Sequence, residues 1–284
     1  MANVGTITAI WRYPVKSMMG EVVDASAVTE QGVLGDRAYA LVDAETGKIA
    51  SAKNPKRWPN LFQCHAALTE PPETARELPP VRITLPDGAT VTSDDPVVDE
   101  ALSGLVGRRV TLESTAPAEP VLEEYWPDME GVSPEGHRDT VTDERLGMSA
   151  PPGTFFDLAP MGVLTTATLD RLAELYPQGS FDVRRFRMNL IVQPDADGFV
   201  ENDWIGHTLA VGDGVSLPVT LADPRCVMIT LPQGDLPKDP GILRTAAEHN
   251  RVEIPGVGVY PCVGVYATVA AGGKVRRGDP VTLD

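Results

Sequence analysis

The chain has 284 residues, 42% hydrophobic and 23% charged, the composition of a soluble globular protein large enough for one big or two ordinary domains, of which two are expected. Its formal net charge of −16 excludes nucleic acid and anionic membrane surfaces as general partners, because both repel an acidic protein. The 26 glycines and 26 prolines point to many turns and short strands, so the expected fold is mainly β with a few helices, of the α+β class.

The stretch Met1-Ala2-Asn3-Val4-Gly5 has neither the basic nor the apolar segment of a signal peptide, and no apolar run reaches spanning length. The chain therefore reads as cytoplasmic, with no membrane partner. Cys64, Cys226 and Cys262 are odd in number, far apart and without a Cys-x-x-Cys spacing. That pattern implies no disulfide framework, and it lacks the clustered ligands of a structural zinc site or an iron–sulfur cluster. Any electrons must come from outside the chain or from another cofactor.

Taken in order, Thr6–Arg12 has the alternation of a half-buried strand and stops at Tyr13-Pro14. Lys16-Ser17 falls on the following loop, before strands expected at Val22–Val28 and Arg37–Asp43 and a hairpin signal at Glu45-Thr46-Gly47-Lys48. The first 50 residues thus read as one β meander. Ser51–Pro59, with Lys53, Lys56, Arg57 and Trp58, is basic and turn-rich, and it reads equally as an anion-binding loop or a solvated one. A short hairpin follows at Arg82–Leu85 and Thr90–Thr92. Asp95-Pro96 opens a helix whose apolar positions Val97, Val98, Ala101, Leu102 and Leu105 end at Gly107, and a strand at Arg108–Glu113 closes the first domain.

Between 114 and 152 the composition shifts to Pro, Gly and acidic residues, which marks a connection; composition does not tell a linker from a lid. Leu169, Leu172, Ala173 and Tyr176 define an amphipathic helix capped by Thr and stopped by Pro177. Phe181–Gln193 reads as a strand carrying Arg184, Arg185 and Arg187. Arginines on an apolar strand need an anion or a carboxylate, whether a ligand or a structural ion-pair network. A strand between turns within Trp204–Gly214, a strand at Val215–Leu221, a short helix from Asp239-Pro240, and strands at Val259–Val269 and Lys274–Leu283 complete a β-barrel pattern. His65, His137, His207 and His249 are scattered without ligand spacing and read as structural or surface residues.

Cys226 lies just past a strand-ending turn at Asp223-Pro224, where a scaffold presents reactive groups. Arg225 beside it in sequence favours the thiolate, the form that attacks electrophiles or binds soft metals. On this stretch alone a buried cysteine acting as a small hydrophobe is the stronger reading, and the rest of the chain raises the functional one.

Tyr13-Pro14-Val15-Lys16-Ser17, Gly35-Asp36-Arg37, Phe186-Arg187-x-Asn189, Pro224-Arg225-Cys226 and Gly278-Asp279-Pro280-Val281 resemble, in order, the signatures of MOSC proteins. These are relatives of the molybdenum cofactor sulfurase C-terminal domain and include the mitochondrial amidoxime-reducing component. The resemblance implies an N-terminal MOSC β-barrel domain over 1–115, a connecting segment over 116–152 and a C-terminal MOSC β-barrel domain over 153–284. It also implies a molybdenum cofactor, a pyranopterin dithiolene with a phosphate tail, held between the domains. Cys226 matches the catalytic cysteine that ligates molybdenum, a soft metal that accepts thiolate. Lys16, Ser17, Arg37, Arg187, Asn189 and Arg225 match positions around pterin and phosphate, with Thr166 and Tyr266 as looser matches. Met18-Met19, Met161-Gly162, Met188 and Asp223 depart from the usual residues, and Asp239 matches a position near the metal but equally caps its helix.

The function so implied is a molybdenum-dependent oxidoreductase that reduces N-hydroxylated small molecules such as amidoximes and hydroxylamines, with electrons from an external reductase or ferredoxin. Two alternatives stay open: a sulfur carrier using a Cys226 persulfide, and a cofactor-binding protein without turnover. The enzyme reading requires the sulfur of Cys226 to open on a cavity rimmed by arginines from both halves of the chain.

Overall fold

The computed structural model of the chain describes residues 2–75, 77–147, 149–256 and 258–284. Short strands dominate these residues, with three α-helices, α1 (Val98–Val106), α2 (Thr166–Leu175) and α3 (Pro240–His249). The caps of α2 and α3 and the glycine stop of α1 are those the sequence marks, while the N-cap position of α1, Val97, has no side-chain cap and Asp95 bonds ahead of it. Asp95 accepts from the amide of Val97, Gly107 ends α1 in the left-handed region, Thr165 accepts from Thr168 N, and Asp239 accepts from Gly241 N.

Among the described residues, seven strands close into a barrel. Met161–Thr165, Leu190–Gln193, Ala2–Arg12, Pro280–Leu283, Thr208–Val211, Val215–Pro224 and Gly258–Ala267 succeed one another, and Met161 pairs with Ala267 to shut the ring. Met161–Thr165 and Leu190–Gln193 run parallel, with α2 in the crossover between them. Leu209, Val211, Leu217, Val219, Val265 and Ala267 alternate into one core, whose apolar burial stabilises closure at roughly 25 cal/mol per Å². Leu164, Ile191 and Val263 point the other way and bury the apolar faces of α2 and α3 through Leu169, Leu172, Leu243 and Ala246.

Val263 and Val265 are two residues apart yet serve different cores, because the register slips between Ala222↔Val265 and Pro224↔Cys262. The slip contains Gly264, at φ +84°, where an added Cβ would lie 2.6 Å from Met188 Cε and 2.8 Å from Val163 O. Gly264→Ala is therefore expected to cost about 2–4 kcal/mol in urea unfolding, from left-handed strain plus the clash with a backbone oxygen. A loss below about 1 kcal/mol would show that the bulge relaxes freely.

The second body has its own core of Val15, Leu41, Trp58, Leu61, Leu102 and neighbours. It pairs Ala40–Asp43 with Val110–Glu113, His65–Leu68 with Val81–Thr84, and Val81–Thr84 in turn with Thr90–Thr92. The first 50 residues do not form one meander. Ala2–Arg12 is a stave of the barrel, and Ala25–Thr29 pairs with Gly273–Arg276, so two N-terminal strands find partners near the other end of the chain. Phe181–Gln193 also differs from the expected strand. Asp182 accepts from Arg184 N and starts a 3-10 turn at Val183–Arg185, so the strand begins only at Leu190. Lys274–Leu283 splits at Gly278, at φ +93°, into Gly273–Arg276 and Pro280–Leu283. The 114–152 connection carries an antiparallel hairpin, Val121–Trp126 against Thr140–Arg145.

Candidate functional site

The hairpin, the open end of the barrel and the second body enclose a cavity of about 350 Å³. Leu122, Glu124 and Trp126 on one hairpin strand and Thr142 and Glu144 on the other line it, the period of two that a strand imposes. The basic stretch Ser51–Pro59 holds this hairpin down. Lys53 Nζ lies 2.9 Å from Glu124 Oε2, and Arg57 reaches Glu123 at 3.2 Å and Asp43 at 2.8 Å. Both Arg57 partners are carboxylates of the chain itself, while Lys53 also faces the cavity.

Cys226 follows the barrel strand Val215–Pro224 and precedes a 3-10 turn at Val227–Thr230. Its thiol is half-buried and lines the cavity beside Ala52, Phe62 and Met228. Burial, with the field of Glu124 added, pushes the thiol up to about 12 against the opposing pull of Lys53. Arg225 does not play the part its position suggests. Its Nε donates to Val263 O at 2.9 Å, Nη1 to Phe186 O at 2.9 Å, and Nη2 pairs with Asp223 at 2.7 Å. Adjacent residues on an extended backbone point to opposite sides, so the cation near the sulfur is Lys53, from the other body of the chain.

Arg37 and Arg187 both line the cavity, one from each half of the chain. Arg37 donates to Arg187 O at 2.8 Å and pairs with Asp36; Arg187 donates to Met18 O at 2.6 Å. Their guanidinium carbons lie 4.6 Å and 4.4 Å from the centre of the Tyr13 ring. Burial, and then the charge of Arg37, pushes Arg187 down to about 10, so an anion here would offset the crowding of two cations. Ser17, Arg37 and Arg187 all hold left-handed backbone, at φ 63°, 46° and 58°. Each costs about 1–2 kcal/mol, and strain of this kind gathers at functional sites.

The structure brings Cys226, Arg37, Arg187, Asn189, Arg225 and Tyr266 to one cavity. Asn189 also ties the bodies together, accepting from Gly162 N and donating to Asp36 Oδ2 at 2.8 Å. Lys16 and Ser17 stand behind the wall. Lys16 Nζ, pushed down to about 8 by burial, donates to Phe155 O and to Asp157 at 2.7 Å, and Ser17 Oγ accepts from Ala52 N. Thr166 begins α2 away from the cavity, while its neighbour Thr165 caps the helix and donates to Glu201. Asp239 caps α3 and accepts from Tyr176 at 3.3 Å. Exposed His137 lies at the cavity rim.

Sequence reading missed Glu124, Trp126 and Asp157. A strand signal was present in the β-favouring residues Val121, Tyr125 and Trp126, but the Pro, Gly and acidic content around them reads as linker. Asp157 faces Lys16, Lys53 and Arg37. Burial alone would raise its carboxyl, and those cations together hold it well below the usual carboxylate range.

Barrel, second body and a cavity lined by one soft sulfur and half-buried arginines make a two-part β protein with a pocket suited to an anionic group. Residues 4–102 match the MOSC N-terminal beta barrel domain and residues 152–282 match the MOSC domain. The chain belongs to the MOSC family, which is associated with the molybdenum cofactor. Mitochondrial amidoxime reducing component 2 of Bos taurus is 24% identical, over 99% of this chain and 84% of its own length. Among solved structures, the YuaD protein of Bacillus subtilis is similar with a TM-score of 0.46 at 10% identity, over 98% of this chain and 94% of its own. YiiM from Geobacillus stearothermophilus is similar with a TM-score of 0.30 at 19% identity, over 44% of this chain and 54% of its own. No helix of the described residues is long and apolar enough to cross a membrane.

The residues present fit the family's cofactor. Among the described residues no group of three or more His, Cys, Asp or Glu could cage a metal ion, so a metal at Cys226 must bring other ligands with it. A pterin dithiolene does so, and the forked donors of Arg37 and Arg187 suit its anionic edges.

Proposed function

We propose that this chain is a molybdenum-cofactor-dependent oxidoreductase that reduces amidoximes and hydroxylamines, taking electrons from a separate reductase or ferredoxin. The observation that carries the reading is the half-buried Cys226 thiol opening on the same cavity as the half-buried cations Arg37 and Arg187. The MOSC match and the amidoxime-reducing relative support it. When bound, the cofactor would supply the two-electron redox chemistry of R–NHOH + 2e⁻ + 2H⁺ → R–NH₂ + H₂O.

The chain's own residues do the rest. Cys226 would give up its proton and hold the metal, a displacement that a bound cation drives even for a buried thiol. Arg37 and Arg187 would fix the pterin and phosphate by charge-assisted hydrogen bonds. Trp126 and Phe156 narrow the cavity and exclude water, which strengthens every electrostatic interaction inside.

Purified protein is expected to carry molybdenum in proportion to chain. Cys226→Ser is expected to lose at least about 100-fold of the amidoxime reduction driven by a chemical donor while keeping its melting temperature, as removal of a reacting group does. Full activity in that variant, or in metal-free wild type, would overturn the reading. An added sulfur on Cys226 in metal-free protein, seen by mass spectrometry, would point to sulfur transfer instead.

A further inference from the structure

The cavity holds two aspartates whose surroundings set them to opposite tasks. Asp157 stands before Lys16, Lys53 and Arg37 and stays ionised. Asp223, 2% exposed, sits one residue before the end of the barrel strand, in the register slip, and its side chain lines the cavity that Cys226 also lines. Five charged or titratable groups bear on it, one of them the buried thiol of Cys262 on the neighbouring strand. Arg225 sits 2.7 Å away on its own segment, Tyr266 on the neighbouring strand donates a hydrogen bond, and Asp157 and Lys53 act from the facing walls. Arg225 is already shared with the carbonyls of Val263 and Phe186, so its pull on Asp223 is divided. Burial wins, with Asp157 adding repulsion, and the carboxyl is pushed up to about 7. Two carboxylates in one site, one held as a fixed anion and the other able to carry a proton near neutrality, make an acid with an electrostatic partner.

We propose that Asp223 is the proton donor of this cavity, with Tyr266 positioning its carboxyl and Asp157 serving as the fixed anion. The assignment rests on the N-reductive reading above. In that reaction the O–H bond of Asp223 breaks as one forms on the departing hydroxyl oxygen. The N–O bond breaks with two electrons from the external donor, water leaves, and Asp223 takes a new proton from solvent together with the second one the product needs. Asp157 is held charged, and Glu124 is paired with Lys53.

The test has two arms. In metal-free protein with ¹³C-labelled aspartate carboxyls, one signal should titrate near neutral pH, vanish in Asp223→Asn and move to higher pH in Tyr266→Phe, which removes a bond to the charged form. In protein loaded with molybdenum cofactor, benzamidoxime reduction by reduced methyl viologen should slow as pH rises through about 7, where the acid loses its proton. Asp223→Asn keeps the shape and an acceptor for Tyr266. It should keep molybdenum content and KM within about twofold, lower kcat at least about 100-fold and lose that pH limb. A signal absent from the first arm, or an Asn variant with wild-type kcat and pH profile, overturns the proton donor. Inactivity of loaded wild type while the signal is present overturns the reduction that Asp223 would serve, a failure distinct from the first.

Discussion

Arg185→Leu is expected to destabilise the protein by about 3–5 kcal/mol and to loosen the segment that carries Cys226. Arg185 is 1% exposed, and its guanidinium donates only to backbone carbonyls. Nε reaches Ser180 O at 2.9 Å, Nη1 reaches Ile229 O and Leu231 O at 3.2 Å, and Nη2 reaches Pro237 O at 2.8 Å. Three of those carbonyls belong to 229–237, the run that follows Cys226 and its turn, so one buried side chain pins the far side of the thiol. Burial lowers the affinity of Arg185 for its proton, and the fields of Asp239 and Asp182 help to keep the charge. Leucine would leave four acceptors with no donor, each costing about 1–3 kcal/mol when buried, less what entering water recovers. Urea unfolding measures the loss, and alkylation of Cys226 should speed up in parallel. A variant within about 1 kcal/mol of wild type would show that water replaces the guanidinium.

Asp36→Ala is expected to cost a similar amount, about 3–5 kcal/mol, and to disorganise the arginine pair. The carboxylate has no exposed side-chain surface, and it accepts from Tyr13 N at 2.7 Å, Asn189 Nδ2 at 2.8 Å and Arg37 Nη1. Those donors come from the end of a barrel strand, the start of another and the second body, so one residue joins both bodies under the cavity. Alanine leaves two donors unsatisfied and a half-buried guanidinium without its counterion. Asp36→Asn keeps the acceptor for Tyr13 N, so its loss should be roughly half as large. Equal losses in the two variants would mean that the charge, and not the hydrogen bonds, holds the joint.

Both residues show how local reading and tertiary structure divide the work. Asp36-Arg37 and Arg184–Arg187 stand out in the sequence because charge on an otherwise apolar stretch needs a partner, and the partners are there. What the sequence leaves open is their identity. Arg184 pairs with Asp182 and Asp235, Arg185 takes carbonyls, and Arg187 turns to the cavity, although the three lie within one short segment. A turn started by Asp182 sends them in different directions, where an uninterrupted strand would have sorted them to two faces. Arg225 is a sharper case: adjacency suggests a cation for the sulfur, whereas the guanidinium folds back onto the barrel and Lys53 comes from far along the chain.

The sequence by itself determined the elements whose signals lie within a turn or two: the mainly β class, the glycine stop of α1, the caps of α2 and α3, the strand that delivers Cys226, and the family motifs that carry Arg37, Arg187 and Asn189. Tertiary structure alone decided that the first strand belongs to the last barrel, that an acidic connection forms the cavity's wall, and that cations hold the carboxyl of Asp157 down while burial pushes that of Asp223 up. The reason is range. Caps, periodicity and turn residues act through bonds a few residues away, while strand partners, side-chain direction and the desolvation of a carboxyl are set by groups that only the completed fold brings near.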